Sequence, residues 1–145
     1  MKFLRGKLRA QAAVELALLA TVLCLLLIVA SDLARVFYMG LEVNGAARAG
    51  VEYGVQNSST AADIAGMQNA AKNDASDLSG LTATASKYCA CPNGSIVTCP
   101  AGAPPCSDMR VYVKVITSAT FAPLVTYPGI PSSVTVNGSA IMRQQ

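Results

Sequence analysis

The sequence predicts an α+β protein whose first helix holds it in a membrane. Two observations predict this fold class. A long apolar run, followed by a helical pattern, occupies the first part of the chain, whereas much of the chain beyond residue 80 alternates between apolar and polar side chains as β-strands do. We therefore expect a long N-terminal transmembrane-plus-stalk helix, a short second helix and a small antiparallel sheet of three or four strands.

The apolar run extends from Leu16 to Ser31 and contains no charged residue. Together with the residues from Ala12 onward it spans roughly 30 Å as an α-helix, which is the thickness of a bilayer hydrocarbon core. A buried helix of a soluble protein is the alternative, but such helices rarely run this far without a polar face. We therefore expect the run to cross a membrane.

Charge is distributed unevenly along the chain. Four cations precede the apolar run, whereas the chain from Gln11 onward carries seven cations and eight carboxylates. This balance leaves no electrostatic footprint for nucleic acid. By the positive-inside rule the basic end should stay cytoplasmic and the C-terminal bulk should be exported. The four cations of the leader, residues 1–10, are Lys2, Arg5, Lys7 and Arg9.

Glu15 lies at the start of the apolar run, where an unpaired carboxylate carries a large desolvation penalty. In one interpretation its side chain reaches the lipid headgroups. In the other, a cut between Ala10 and Gln11 creates an α-amino group one helical turn from Glu15. The two charges would then neutralise each other within one chain or between neighbouring chains, and so set the register between helices.

Helical signals continue beyond the apolar run. No proline interrupts them, and apolar or small residues recur at steps of three and four, from Leu33 to Gly54. One helix is therefore predicted from near Ala12 to about Gln56. Its many glycines and alanines permit close approach to another helix or to the protein's own sheet.

A second helix and several strands are predicted in the rest of the chain. The helix should open at Thr60, which with Asp63 resembles a capping box, and end at Gly80. The predicted organisation is a cytoplasmic leader, a transmembrane and stalk helix over residues 11–56, and an exported domain over residues 57–145. Strands are predicted over residues 81–88, 96–99, 111–121 and 133–143.

Four of the five cysteines lie in a turn-rich loop. In an exported domain they predict two disulfides that staple this loop. Cys89 and Cys91 are too close to pair comfortably, so Cys89 would pair with Cys99 and Cys91 with Cys106, or Cys89 with Cys106 and Cys91 with Cys99. A zinc site of four thiolates is the rival, and it is disfavoured because the chain has no histidine and an oxidising compartment favours disulfides.

No catalytic constellation is apparent in the sequence. Histidine, the commonest general base and metal ligand, does not occur. No serine lies in a nucleophile elbow, and no glycine-rich phosphate loop follows a predicted strand. We therefore expect no enzymatic activity, no cofactor and no small-molecule substrate.

Four stretches, taken in order, carry a resemblance to a known family: the basic leader, QAAVELALLATVLCLLLIVASDLARVFY, NGAARAGVEYG and TFAPLVTYPGIPSSVTVNGSAIMR. Together they resemble the TadE-like family of pseudopilins from bacterial tight-adherence pilus systems. The resemblance implies a pilin-like fold, partners among other pilin-like subunits and the pilus assembly machinery, and a prepilin peptidase that cuts between Ala10 and Gln11. Ala10 stands where glycine usually precedes the cut, and the nearest glycine is Gly6.

These sequence features are compatible with three hypotheses about the protein's function. The first is a minor pilin-like subunit in the inner membrane, with its N-terminus in the cytoplasm and its folded domain in the periplasm or in a pilus. The second is an uncleaved single-pass protein whose disulfide-containing domain binds a partner or surface. The third is a secreted protein released by a cut near Ala30. The first residue of the mature chain, Gln11, Met1 or one near Asp32, distinguishes them.

Overall fold

The described residues of the computed structural model are 2–99, 104–126, 129 and 131–144. They confirm the predicted α+β class, and they form two compact units, Met1–Val36 and Phe37–Gln145. We call the second unit the head. The elements are α1 (Lys2–Gly54), α2 (Ser58–Ala62), α3 (Ile64–Asp74), β1 (Thr82–Ala90), β2 (Ile96–Val97), β3 (Arg110–Phe121) and β4 (Val134–Arg143).

The first unit consists of the N-terminal part of α1. This helix begins at Lys2 and not near Ala12 as predicted. The leader consists mostly of good helix formers and has no proline, so nothing in it stops the helix. Within the described residues, one helix, Gln11–Gly54, is long and apolar enough to cross a membrane, and none of its most apolar window is buried.

The head contains a four-stranded antiparallel sheet with the strand order β2-β1-β3-β4. Every strand begins and ends within two residues of the predicted bounds. The observed strands therefore confirm the bounds predicted from the alternation of apolar and polar residues. In the register of the three long strands, Tyr88 of β1 lies opposite Tyr112 of β3, which lies opposite Arg143 of β4.

The core of the head lies between one face of the sheet and the helices. From Val43 onward, α1 packs its small residues against this face, and α3 packs against β1. A Cβ atom on Gly50 would lie 2.9 Å from the carbonyl oxygen of Met67 and 3.1 Å from the Val115 side chain. The small residues of α1 thus allow close contact with both α3 and the sheet.

The predicted second helix is wrong in its bounds, because two short helices occupy this region. The Asn57 side chain accepts hydrogen bonds from the backbone N–H groups of Ser59 and Thr60, so Thr60 is the third residue of α2 and not its cap. Asp63 then caps α3 by accepting from the N–H of Gly66, 2.9 Å away. Gly80 lies beyond the end of α3, in a turn where its φ is +81°.

Candidate functional site

The start of the apolar run holds the residues predicted to set the register between helices. The Gln11 Nε2 atom donates to Glu15 Oε1 at 3.4 Å, one helical turn along α1, and both side chains are exposed. Ala10 and Gln11 lie inside the continuous α1 helix. In the uncut chain, the Glu15 carboxylate therefore has the side-chain amide of Gln11 as its neighbour. The predicted cut would add a free α-amino group at Gln11.

Polar groups within the apolar run are few. Thr21 is satisfied by its own helix, because its hydroxyl donates to the carbonyl oxygen of Ala17 at 2.9 Å. Cys24 is a free, exposed cysteine. The next charged residue after Glu15 is Asp32, which is 6% exposed and forms an ion pair with Arg35 at 3.1 Å. Between these two carboxylates α1 presents an almost wholly apolar surface.

The side chains on this surface are large and exposed. Leu16 is 68% exposed and Val22 is 55% exposed, and the pattern continues in the head with Phe37 at 72% and Leu41 at 74%. The predicted apolar face of α1 is therefore buried only from Val43 onward. Exposed apolar areas of this size are typical of surfaces that contact a membrane or another protein.

The cysteine-rich loop is closed by two disulfides. Cys89 pairs with Cys99 and Cys91 with Cys106, at Cα–Cα distances of 5.1 and 6.0 Å. This is the first of the two predicted pairings, and it leaves no thiolate among these four cysteines for zinc. The side chain of Asn93 accepts from the backbone N–H of Ser95 at 3.0 Å and so forms the turn at the loop's tip.

Two tyrosine–aspartate hydrogen bonds tie α1 to the rest of the head. The Tyr38 hydroxyl donates to Asp77 and the Tyr53 hydroxyl to Asp63, each at 2.9 Å. The pKa of the Asp63 carboxyl is lowered, first because the Gly66 N–H donates to it and second because Tyr53 does. The charged form of Asp63 is therefore the one that joins α1 to α3.

Sequence reasoning missed a cationic group on the other face of the sheet, away from the helices. Arg110 and Lys114 lie on the same face of β3, and Arg143 of β4 lies opposite Tyr112 between them. The alternation in β3 is the signal that could have revealed this group. Because successive side chains of a strand point to opposite faces, Arg110 and Lys114 lie on the face of β3 away from the buried Val113 and Val115.

Comparison with known proteins found one family. Residues 10–52 match the family of TadE-like proteins. The matched part extends from the end of the leader through the exposed and most of the buried part of α1, and it ends before α2, α3 and the sheet. No match was found among curated proteins or among solved structures.

Proposed function

On the premise that residues 10–52 are those of a TadE-like protein, we propose that this chain is a minor pilin-like component of a tight-adherence pilus system. The TadE-like family is pilus-associated and structural rather than catalytic. In this proposal α1 anchors the chain in the bacterial inner membrane, with the leader in the cytoplasm and the head in the periplasm. A prepilin peptidase and other pilin-like subunits are its partners.

The observation that carries the proposal is the bare apolar surface of α1 between Glu15 and Asp32. Lipid tails and the side chains of neighbouring helices are similarly apolar, so such a helix can pass from a bilayer into a bundle of like helices at little cost in hydrophobic burial. In the head, Phe37 and Leu41 add exposed apolar area one helical turn apart. They offer neighbouring subunits a further contact.

Glu15 sets the register of the bundle in this proposal. After a cut between Ala10 and Gln11, the new α-amino group would lie one turn from the Glu15 carboxylate, which now has an amide within 3.4 Å. In an apolar bundle, unpaired charges are strongly disfavoured, so subunits would align where amine and carboxylate meet. The pair would therefore fix how far each helix is displaced along its neighbour.

The test replaces the carboxylate. We expect Glu15→Ala to insert into the inner membrane as the wild type does but to be recovered in sheared pilus material at roughly one tenth of the wild-type level, equivalent to about 1.4 kcal/mol. Thr21→Ala is the matched control, since it removes a polar group from the same helix without removing charge. Equal recovery of Glu15→Ala and wild type would exclude the register role.

The uncleaved single-pass protein is the second candidate. Ala10 in place of glycine before the expected cut favours it, as does a stapled loop whose Ile96 is 73% exposed and free to contact a partner. Mass spectrometry of the N-terminus separates the candidates. A mature chain that begins at Gln11 supports the pilin-like subunit, whereas one that begins at Met1 supports the uncleaved receptor.

A further inference from the structure

The face of the sheet away from the helices carries three cations at one end. Arg110, Tyr112 and Lys114 follow one another at two-residue steps on β3 and so share a face. Arg143 on β4 lies opposite Tyr112 and therefore between the two other cations. At about 3.4 Å per residue, Arg110 and Lys114 are separated by roughly 13 Å along the strand.

Few carboxylates are available to neutralise these cations. The strands β1, β3 and β4 contain no aspartate or glutamate, and Asp108 is the one acidic residue after Asp77 in the sequence. In the described part of the chain, none of the three cations forms an ion pair within 4.0 Å. Three cations against the single carboxylate of Asp108 leave this end of the sheet with a net positive charge.

Two of the cations line a depression in the surface. It has a volume of about 430 Å³ and lies at the ends of β3 and β4, where its walls are formed by Asp108, Met109, Arg110, Val111, Arg143 and Gln144. The backbone N–H of Gln144 donates to the carbonyl oxygen of Val111 at 2.9 Å, which holds the end of β4 against β3 and fixes the wall. The depression is open to solvent, and guanidinium groups bind carboxylates through two parallel hydrogen bonds.

We propose that this depression, with Lys114 roughly 13 Å farther along β3 from Arg110, binds an acidic polysaccharide. The two arginines would bind a sugar carboxylate. Asp108 would accept hydrogen bonds from sugar hydroxyls. The neighbouring sheet face is also rich in hydroxyl groups that can bond to sugars, among them Thr84, Ser86 and Ser139.

The tyrosines beside the depression argue against single-stranded nucleic acid as the ligand. Tyr88 and Tyr112 stack on each other, with ring centroids 5.5 Å apart and an interplanar angle of 11°. Each ring therefore has one face occupied by the other ring. Proteins that bind single strands without sequence preference instead offer open aromatic faces to successive bases.

The placement of the depression suits an external polymer. The helices of the head cover the opposite face of the sheet, so Arg110, Lys114 and Arg143 lie on its uncovered face. The chemistry of the depression does not depend on the proposed function. Binding can therefore be measured on the isolated protein without a pilus.

The experiment uses the purified full chain in detergent and polygalacturonate, a homopolymer of an acidic sugar, as the immobilised probe. We expect saturable binding that weakens as salt is added, because the contacts are ionic. Arg110→Gln combined with Arg143→Gln should weaken it at least about tenfold, or about 1.4 kcal/mol. Both arginines are exposed, so the double variant should keep the near-ultraviolet circular dichroism of the tyrosines.

The matched control is Arg48→Gln combined with Lys72→Gln. It removes the same two positive charges from exposed positions on α1 and α3, and it should bind polygalacturonate within twofold of the wild type. Equal losses in the two double variants would overturn the proposal, because net charge alone would then explain binding. No binding to polygalacturonate, or equal binding to uncharged dextran, would also overturn it.

Tighter binding to an oligothymidylate of about 20 nucleotides would assign the face to nucleic acid and contradict the proposal. The outcome is independent of the pilus assay. A chain that binds polygalacturonate through the depression but does not enter pili refutes the proposed function alone. A chain that enters pili but does not bind the polymer refutes the polysaccharide site alone.

Discussion

Two parts of α1 are both apolar, yet they present opposite surfaces. Between Leu16 and Val29 the helix carries large side chains that are mostly more than half exposed, whereas from Val43 to Gly54 small residues are interspersed with valines and are buried. Both parts are apolar, so the difference lies in the size of their side chains. Large side chains keep other backbones at a distance and offer area to lipid, while glycine and alanine let α3 and the sheet approach α1 closely.

Replacing one valine by alanine in each part of α1 should give the largest difference in the stability of the head. Val51 is fully buried, so Val51→Ala should lower the free energy of unfolding of the head by about 2–3 kcal/mol through lost burial and the resulting cavity. Val22 is 55% exposed, and Val22→Ala should leave the head's stability unchanged. Denaturant unfolding of the full chain in detergent, followed by tyrosine circular dichroism, measures both. Similar losses in the two variants would contradict the division of α1 into an exposed and a packed part.

Replacing a glycine of α1 by alanine should change the stability of the head by a smaller amount, and the sign of the change should differ between Gly50 and Gly40. A Cβ on Gly50 would lie 2.9 Å from the carbonyl oxygen of Met67, so Gly50→Ala should destabilise the head by about 1–2 kcal/mol. A Cβ on Gly40 would meet no atom of the described residues within 4 Å, and Gly40→Ala should be neutral or stabilise by up to about 1 kcal/mol. The same unfolding assay applies. A destabilising Gly40→Ala would mean that close packing of α1 begins earlier than Val43.

The smallest effect concerns the contact between the end of α1 and α3, and it depends on pH. The pKa of Asp63 is lowered by the Gly66 N–H and the Tyr53 hydroxyl, so its charged form stabilises the folded state. This contribution is fully present above the ordinary aspartate pKa of about 4 and is lost as the pH falls through the lower pKa of the folded protein.

Asp63→Asn tests whether the charge of the Asp63 carboxylate stabilises the folded state. Asparagine still caps a helix but cannot titrate, so the variant should be less stable than the wild type near neutral pH. The difference in melting temperature between wild type and variant should shrink as the pH falls below about 4. A difference that stays constant down to the lowest accessible pH would show that the carboxylate charge contributes nothing to this contact.

Local patterns in the sequence were enough to predict most of the fold. The apolar run and the recurrence of small residues predict α1, and alternation predicts all four strands, because each pattern repeats over many residues. The capping of α2 and α3 was less predictable. Asn57 and Thr60 are spaced as a capping box, but Thr60 and Asp63 have the same spacing, and only the surrounding contacts select the first pair.

Features that depend on tertiary register could not be predicted. The apolar face that begins at Leu33 is continuous in sequence, yet its burial begins at Val43 because that is where the sheet begins to cover the helix. The disulfide pairing likewise follows from the hairpin that sets Cys89 opposite Val97, two residues before Cys99. The cationic depression needs β3 and β4 side by side, so no single stretch of sequence contains it.

The contact between Val43 and the end of the sheet constrains the order in which the chain can fold. The Thr117 hydroxyl donates to the carbonyl oxygen of Val43 across 74 positions of sequence, and Gly138 lies against the same carbonyl group. During synthesis α1 is made before β3 and β4. The Val43 end of α1 therefore stays uncovered until both strands have been made, and a chain truncated before β4 would lack the contact between Gly138 and the Val43 carbonyl group.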